Sequence, residues 1–389
     1  MPYTLYLKKK EEQRLLQGHC WVYANEVAKI EGHGEQGSIA KVYSFDGRYV
    51  GKGYINHASK IIVRLLTRGD EEIDRAFFYD KINTAWQKRK KLGFDNSCRV
   101  VFGEADGIPA FIVDKYGDYL CVQILAKGIE VRKEMLVDIL VEIFNPKGIY
   151  ERSDVSLREK EGLQMRKGFL YGQFDTKVEI EENGIKMFVD LENGQKTGYF
   201  LDQKENRLNL RRYSKDNEVL DCFCHTGGFS LNAAKAGAKK VVACDISQTA
   251  LNTVMENANL NGFTNIETKC GDVFEVLREY RKEGKNFDVV LLDPPAFTKT
   301  SDKVKEAIKG YKDINVNGMK IVKKGGYLIT CSCSHYLTVP LFLDMIKSAA
   351  KDAGRNAQLI EFRMQSRDHP TLLGMDESLY LKCAVLQID

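Results

Sequence analysis

Three carboxylates stand where strand-like runs of the chain stop: Asp221 after EVL, Asp245 after KKVVAC and Asp272 after NIETKCG. The first is followed by a short glycine pair, Gly227-Gly228. A dinucleotide site offers bare amides in a G-x-G-x-x-G loop to cradle a pyrophosphate. A carboxylate in that loop repels a pyrophosphate and suits the ammonium and sulfonium charges of S-adenosylmethionine. Asp245 lies 24 residues beyond Asp221, near the spacing at which an acid accepts hydrogen bonds from both ribose hydroxyls. Asp272 stands where a carboxylate can meet an adenine amino group. Either of these two could simply cap the helix that follows it. Three acids at successive strand ends around a glycine turn are hard to read as caps, and together they point to a methyl donor. Phe223 and Phe229, flanking the glycine turn, join Asp221 and Gly227 as candidates to line that pocket.

A second constellation points to what is methylated. FDVVLLDPPAF ends an apolar run in Asp293-Pro294-Pro295, and two prolines cannot continue a ladder, so they fix a rigid turn that holds the Asp293 carboxylate. The next apolar run, YLITCSCSH, carries Cys331 and Cys333. Carbon 5 of a pyrimidine is a poor nucleophile. A thiolate that adds to carbon 6 creates an enamine able to attack a methyl group, whereas nitrogen or oxygen methylation needs no such cysteine. Small buried cysteines also fill strand positions, and strand alternation turns Cys331 and Cys333 to one face, so the residues alone do not choose between the two. Zinc is a weaker reading: Cys222/Cys224 and Cys331/Cys333 are C-x-C pairs in apolar strands, not the C-x2-4-C loops of zinc sites, and no metal is expected.

The elements that must position these groups follow from periodicity. From about residue 186 the chain alternates strand and helix (EVLDCF, FSLNAAKAG, KKVVACD, SQTALNTVMENANLNG) and continues so to AQLIEFRM and SLYLKCAVLQI, the pattern of a doubly wound, mostly parallel sheet. Residues 1–72 read as short strands, with Asp46-Gly47 as a hairpin turn between two of them. Residues 73–185 open on a helix with a basic end, then mix strands with the helical KGIEVRKEMLVDILVEIF into a compact α+β domain. With 389 residues, two or three domains are expected.

Bulk properties bound the class. Apolar residues make up 43% and charged residues 29%, a folded-protein profile. No run approaches the roughly 18–20 apolar residues that span a bilayer, and no secretory signal is visible, so a cytoplasmic location with ten reduced cysteines is expected. The net charge of +4 neither demands nor excludes nucleic acid. Lys8-Lys9-Lys10 and Lys88-Arg89-Lys90-Lys91 could be solvated faces or phosphate contacts.

At this point the chain resembles a known family. NGQKTGYFLDQKENR, DCFCHTGGFSLNAAKAGA, DISQTAL, DPPAF, GYKDIN and SCSH together look like the RlmI-like cytosine-C5 methyltransferases of large-subunit ribosomal RNA. The front, RLLQGHCWVYANEV followed by a β module, is similar to that family's N-terminal PUA domain. The likeness runs nearly end to end and is weakest in the centre, where GIYERSD carries it. It implies an RNA-binding PUA domain over 1–72, a central α+β domain over 73–185 and a class I, Rossmann-like methyltransferase domain with a seven-stranded sheet over 186–389. It places Asp221, Gly227, Asp245 and Asp272 around S-adenosylmethionine, and Gln195, Gly198, Phe200 and Asp202 in the segment leading into the site. It selects Cys333, in Ser332-Cys333-Ser334, as the nucleophile beside Asp293. Many RNA cytosine-C5 enzymes carry a second cysteine in the DPP motif; Ala296 and Phe297 stand there instead, as in the RlmI-like family. No residue is singled out as the base for the C5 proton.

The sequence is therefore read as an S-adenosylmethionine-dependent methyltransferase forming 5-methylcytosine in 23S ribosomal RNA or a large-subunit precursor, with no membrane partner. The PUA strands could build a homodimer surface, although no heptad or exposed apolar stripe argues for one. Rival readings are an N2-guanine or other amino-group methyltransferase, a uracil-C5 enzyme, and a non-catalytic RNA-binding assembly factor that kept a donor pocket.

Overall fold

The computed structural model describes residues 2–389 apart from Lys299 and Ser301. The chain forms two compact units. One comprises Met1–Ile180, Val189–Leu201 and Arg367–Ser378, and the other Glu181–Phe188, Asp202–Ser366 and Leu379–Asp389.

The first unit begins with a six-stranded sheet of β1 (Tyr3–Leu7), β2 (Trp21–Tyr23), β3 (Val27–Glu31), β4 (Ile39–Tyr43), β5 (Tyr49–Ile55) and β6 (Ile61–Thr67), in the order β2-β6-β5-β4-β1-β3. Alternation does the folding. Tyr3, Leu5 and Leu7 of β1 turn inward onto Val42, Val50 and Val63, while Thr4 and Tyr6 turn out. Asp46-Gly47 turns β4 into the antiparallel β5, with Gly47 at φ +82°, as expected of that dipeptide. The short helix α1 (Glu12–Leu16) precedes β2.

After α2 (Arg75–Lys91), capped by Asp74 Oδ1 accepting from the Phe77 amide at 2.9 Å, comes a five-stranded sheet. Its strands are β7 (Ser97–Phe102), β8 (Phe111–Tyr116), β9 (Tyr119–Ile124), β10 (Gly148–Ser153) and β11 (Arg166–Tyr171), ordered consecutively. The helical stretch after β9 is broken into α3 (Lys127–Glu130) and α4 (Lys133–Phe144). Arg132, between them, donates Nη1 to the carbonyls of Gly128 at 2.7 Å and Gly37 at 2.8 Å. Gly128 lies against the Tyr54 ring, where a Cβ would fall 1.9 Å from Cγ. No larger residue fits there.

Among the described residues, five buried arginines bind carboxylates in this unit: Arg64–Glu161, Arg89–Asp106, Arg99–Asp114, Arg152–Asp154 and Arg158–Glu130. Glu161 also accepts from Asn56 Nδ2 at 3.0 Å and Ser59 Oγ at 2.5 Å. Removing one partner of such a buried pair strands the other charge, at a cost of roughly 3–5 kcal/mol. Glu161→Ala is accordingly expected to lower the first unit's melting temperature sharply, read by calorimetry; an unchanged transition would show that solvent replaces the carboxylate.

A two-stranded hairpin, β12 (Lys177–Glu182) and β13 (Ile185–Asp190), leads to the second unit. There β14 (Glu218–Cys222), β15 (Lys240–Asp245), β16 (Ile266–Cys270), β17 (Phe287–Leu292), β18 (Val322–Ser332), β19 (Ala357–Arg363) and β20 (Lys382–Ile388) form one sheet, ordered β16-β15-β14-β17-β18-β20-β19. The first five are parallel, and β20 runs antiparallel to both its neighbours. Helices α5 (Lys204–Ser214), α6 (Gly228–Lys235), α7 (Gln248–Leu260), α8 (Val273–Glu283), α9 (Val304–Ile321) and α10 (Val339–Ala353) accompany the strands. Leu220, Val290, Leu292 and Leu328 form the sheet's part of a core that Leu277, Ile314 and Phe342 cover from the helices. Among the described residues no helix is long and apolar enough to cross a membrane.

Candidate active site

Strand order reverses at β14: the chain steps outward to β15 and β16, then returns to the other flank for β17 and β18. Ligands of such sheets bind beyond the carboxyl ends of the strands at this switch point. Asp221, Asp245, Asp293 and Cys333 all stand at that edge, at or just past the ends of β14, β15, β17 and β18.

The loop after β14 is wound tightly. Phe223 (φ +63°), His225 (φ +50°) and Gly227 (φ +83°) are left-handed, and the first two carry a strain of order 1–3 kcal/mol each. The Cys224 amide donates to the Cys244 carbonyl at 3.0 Å and the His225 amide to Asp245 Oδ2 at 2.9 Å, so β15 holds the loop. A Cβ on Gly227 would meet Val254 Cγ1 of α7 at 2.9 Å. Glycine is required there both for its φ and for space. Phe229, buried at the start of α6, has the Arg207 guanidinium 6.0 Å from its ring centre.

Asp221 is fully buried. One carboxylate oxygen accepts from Ser230 Oγ at 2.6 Å, and the other, Oδ1, has no hydrogen-bond partner. Burial pushes its carboxyl up to about 7, with the Ser230 bond opposing and the nearby Asp293 and Asp245 carboxylates adding to the rise. An orphaned oxygen in a negative field is fitted to a cation, which is the test that a ligand bearing ammonium and sulfonium charges must pass. Asp245 accepts from two amides, His225 on Oδ2 and Ser247 on Oδ1, both at 2.9 Å. Each oxygen retains a second lone pair for a hydroxyl donor. Asp272 is exposed and caps α8, with Oδ1 accepting from the Phe274 amide at 2.8 Å.

On the other flank Asp293 Oδ1 accepts from Gln203 Nε2 at 2.9 Å. Gln203 in turn accepts from Asn206 Nδ2 at 2.7 Å, and Asn206 Oδ1 from Arg363 Nε at 3.1 Å. Phe297 follows the two prolines and packs on Tyr311 of α9, ring centres 4.5 Å apart; burial pushes the Tyr311 hydroxyl up to about 12. The cysteine within β18 and the one just past its end differ. Cys331 is fully enclosed opposite Cys383 of β20, and its hydrogen bond to Cys383, with burial, holds its thiol well above the ordinary range. Cys333 lies past the strand end, half-buried, with Sγ 4.0 Å from the Pro294 carbonyl oxygen.

Of the candidate donor residues in the lead-in segment, Asp202 belongs to the second unit. It is buried, its carbonyl accepts from the Ser366 amide at 2.8 Å, and its Oδ2 accepts from Tyr380 OH at 2.7 Å. Gln195, Gly198 and Phe200 belong to the first unit. There the Gly198 amide donates to the Gln195 carbonyl at 2.8 Å, Gly198 takes φ +126°, and Lys196 Nζ lies 4.7 Å from the centre of the Phe200 ring. Ser230, Gln203 and Tyr311 were not singled out from the residues, although Gln203 lies inside FLDQKENR and Tyr311 inside GYKDIN. Among the described residues no group of three or more His, Cys, Asp or Glu could hold a metal ion.

A parallel sheet with a reversed seventh strand, an acid-lined glycine turn and an orphaned carboxylate at the switch point define a class I methyltransferase that uses S-adenosylmethionine. Comparison with known proteins agrees. Residues 160–386 match the model of the S-adenosylmethionine-dependent methyltransferase family and residues 5–68 that of a PUA-like domain. A protein of Vibrio cholerae called ribosomal RNA large subunit methyltransferase I is 43% identical, with 98% of this chain and 99% of the relative covered. Its namesake in Aeromonas salmonicida is 40% identical, with both chains covered in full. A Streptococcus mutans chain assigned as a SAM-dependent methyltransferase matches over both full lengths with TM-score 0.84, and SMU.776, solved in complex with SAH, does so with 0.86. At 21% identity these two speak for the fold alone. The chain thus belongs to the S-adenosylmethionine-dependent methyltransferases, in the ribosomal RNA large subunit methyltransferase I family.

Proposed function

We propose that this protein methylates carbon 5 of a cytosine in large-subunit (23S) ribosomal RNA, through a covalent adduct of Cys333. The observation that carries the reading is the contrast at the end of β18: Cys331 is enclosed, whereas Cys333 emerges at the carboxyl edge against the Asp293-Pro294-Pro295 turn. When bound, S-adenosylmethionine supplies an electrophilic methyl group. The residues that would hold it are Asp221 at its positive charges, Asp245 at the ribose, Asp272 at the adenine, and the Phe223–Phe229 loop around it, with Asp202 from the lead-in segment.

The target base leaves its stack to reach such a cleft. The Cys333 thiolate adds to carbon 6, which makes carbon 5 nucleophilic toward the methyl group. Loss of the C5 proton then expels the thiolate and restores the aromatic ring. Asp293, oriented by Gln203, accepts from the base edge. An acceptor matches the exocyclic amino group of cytosine and repels the O4 of uracil, which favours cytosine.

RNA docks through the first 72 residues and the central region 73–185 on this reading, with 186–389 as the methyltransferase domain. One row of the six-stranded sheet supports it. Lys29, Tyr6, Tyr43 and Tyr49 are neighbours across β3, β1, β4 and β5, with Tyr6 and Tyr43 stacked at 5.7 Å. Base–aromatic stacking contributes about 1–3 kcal/mol per base. Tyr6→Ala and Tyr43→Ala are each expected to raise the Kd for a ribosomal RNA fragment by about tenfold, read by filter binding, without changing S-adenosylmethionine affinity. Equal RNA affinity in all three proteins would remove this face from the docking surface.

The function itself is tested by digesting methylated ribosomal RNA to nucleosides and identifying the product by mass spectrometry. 5-Methylcytidine is expected. 5-Methyluridine, N2-methylguanosine or methyladenosine would overturn the base assignment.

A further inference from the structure

A thiolate nucleophile needs a counter-charge, and the loop around Cys333 offers an acid, Asp293, which works against one. We propose that the buried ammonium of Lys382 is the counter-charge that holds the Cys333 sulfur as a thiolate, making Lys382 a positioning residue for the nucleophile. The proposal rests on the reading of Cys333 given above.

Lys382 opens β20 directly opposite Ser332, one residue before Cys333. It is only 1% exposed. Its Nζ donates to the carbonyls of Ser334 at 2.6 Å and Tyr380 at 2.9 Å, and among the described residues no carboxylate pairs with it. The two carbonyls aim the ammonium at the strand end that carries Cys333 but do not neutralise it. A buried charge without a counter-ion is costly, and such a residue is kept where an anion is to be stabilised. The other titratable groups near this point are Asp293 from the β17 turn, Tyr311 from α9, and the Cys331 and Cys383 thiols within the ladder. Burial holds the Tyr311 hydroxyl uncharged, the hydrogen bond to Cys383 together with burial does the same for the Cys331 thiol, and Asp293 is an acid, so Lys382 supplies the favourable charge. Burial brings the Lys382 ammonium down to about 8, and Cys333 is the group that opposes that fall. The step balances with solvent: the proton leaves Cys333 Sγ for bulk water, giving a thiolate beside the ammonium that Lys382 already carries. The sulfur is then ready to add to carbon 6, and the ammonium stays in place through the addition.

The test measures the thiol itself. Alkylation of Cys333 by iodoacetamide is followed across pH by mass spectrometry of the Cys333 peptide, in wild type, Lys382→Met, Lys382→Gln and Lys382→Arg. Wild type is expected to show an inflection below the ordinary thiol value of about 8.5. Lys382→Met should raise that inflection by at least about one pH unit, with a roughly tenfold slower reaction at neutral pH, while Lys382→Arg keeps it low. If Lys382→Met does not fold, Lys382→Gln keeps a donor for the two carbonyls without the charge and must show the same upward move. An ordinary inflection in wild type, or one unchanged in the uncharged variants, overturns the proposal. The assay contains no RNA, so a Lys382-dependent inflection in a protein that forms no RNA adduct would uphold the ion pair and overturn only the C5 reading.

Discussion

Cys333→Ala is expected to lower methyl transfer by roughly 10⁴- to 10⁶-fold, the scale seen when a covalent nucleophile is removed. It should leave S-adenosylmethionine binding and RNA binding within a factor of two or so, since neither needs the sulfur. Cys331→Ala is the matched control. Cys331 sits in a fully enclosed position across from Cys383, so its loss creates a small cavity and costs about 1 kcal/mol of stability, not activity. The discriminating measurement is trapping on ribosomal RNA containing 5-fluorocytosine with labelled donor. Fluorine at carbon 5 cannot leave as a proton, so the adduct is arrested after methylation. A covalent protein–RNA band in wild type and Cys331→Ala, absent in Cys333→Ala, is the expected result. Label entering RNA with no adduct in any protein would move the reaction to an amino group and return both cysteines to packing.

The second large effect concerns the donor pocket. Asp221→Asn keeps the shape of the side chain and the acceptor for Ser230 but removes the charge from the orphaned oxygen. Losing one member of a buried charge pair weakens binding by about 2–5 kcal/mol, so the Kd for S-adenosylmethionine should rise by roughly 30- to 5,000-fold in calorimetry. The ligand-free protein should behave in the opposite sense. Burial raises the Asp221 carboxyl from 3.8 to about 7 in the fold, so between those values the folded state holds a proton that the unfolded chain has released. Stability of the free protein therefore falls as pH rises through that window. Asp221→Asn should remove this slope and melt higher than wild type at neutral pH without ligand. Donor binding to wild type should take up the anionic form, weakening as pH drops below about 7 with proton release on binding. Identical affinities in the two proteins at neutral pH would place the donor's charge elsewhere.

Much of this site could be read without coordinates because it is written locally. Asp221, Asp245 and Asp293 each end an apolar strand. In a parallel sheet, strand ends share one edge, so the alternation of strand and helix already gathers them. Asp46-Gly47 specifies its hairpin because left-handed φ is a property of the turn residues themselves. The stretch 127–144 reads as one helix by periodicity, yet it breaks at Val131-Arg132, where Arg132 reaches the Gly37 and Gly128 carbonyls. Residues 189–201 and 367–378 group with the first compact unit. In the first of these, Arg152 donates Nη1 to the carbonyls of Leu191 and Gly194 at 2.7 and 2.9 Å. In the second, Asp368 accepts from the Arg99 amide at 2.9 Å and its carbonyl from Arg89 Nη2 at 2.8 Å. Such contacts link residues far apart in the chain, and no local pattern signals them.

By itself, the sequence determined the order of elements, the edge at which the acids collect and the chemical types available there, because hydrophobic period, turn chemistry and strand-end position are short-range properties. Tertiary structure alone decided which groups act on one another. Cys331 and Cys333 are equivalent by alternation, and only the point where β18 leaves its ladder encloses one and leaves the other half-buried at the edge. Asp221 is an ordinary strand-end acid until Ser230 takes one oxygen and burial leaves the second without a partner. Lys382 is one lysine among many until the antiparallel register of β20 on β18 sets it opposite Ser332, 50 residues away in the chain. Burial and register are settled by packing across the whole sheet, and that is where the charge of this site is tuned.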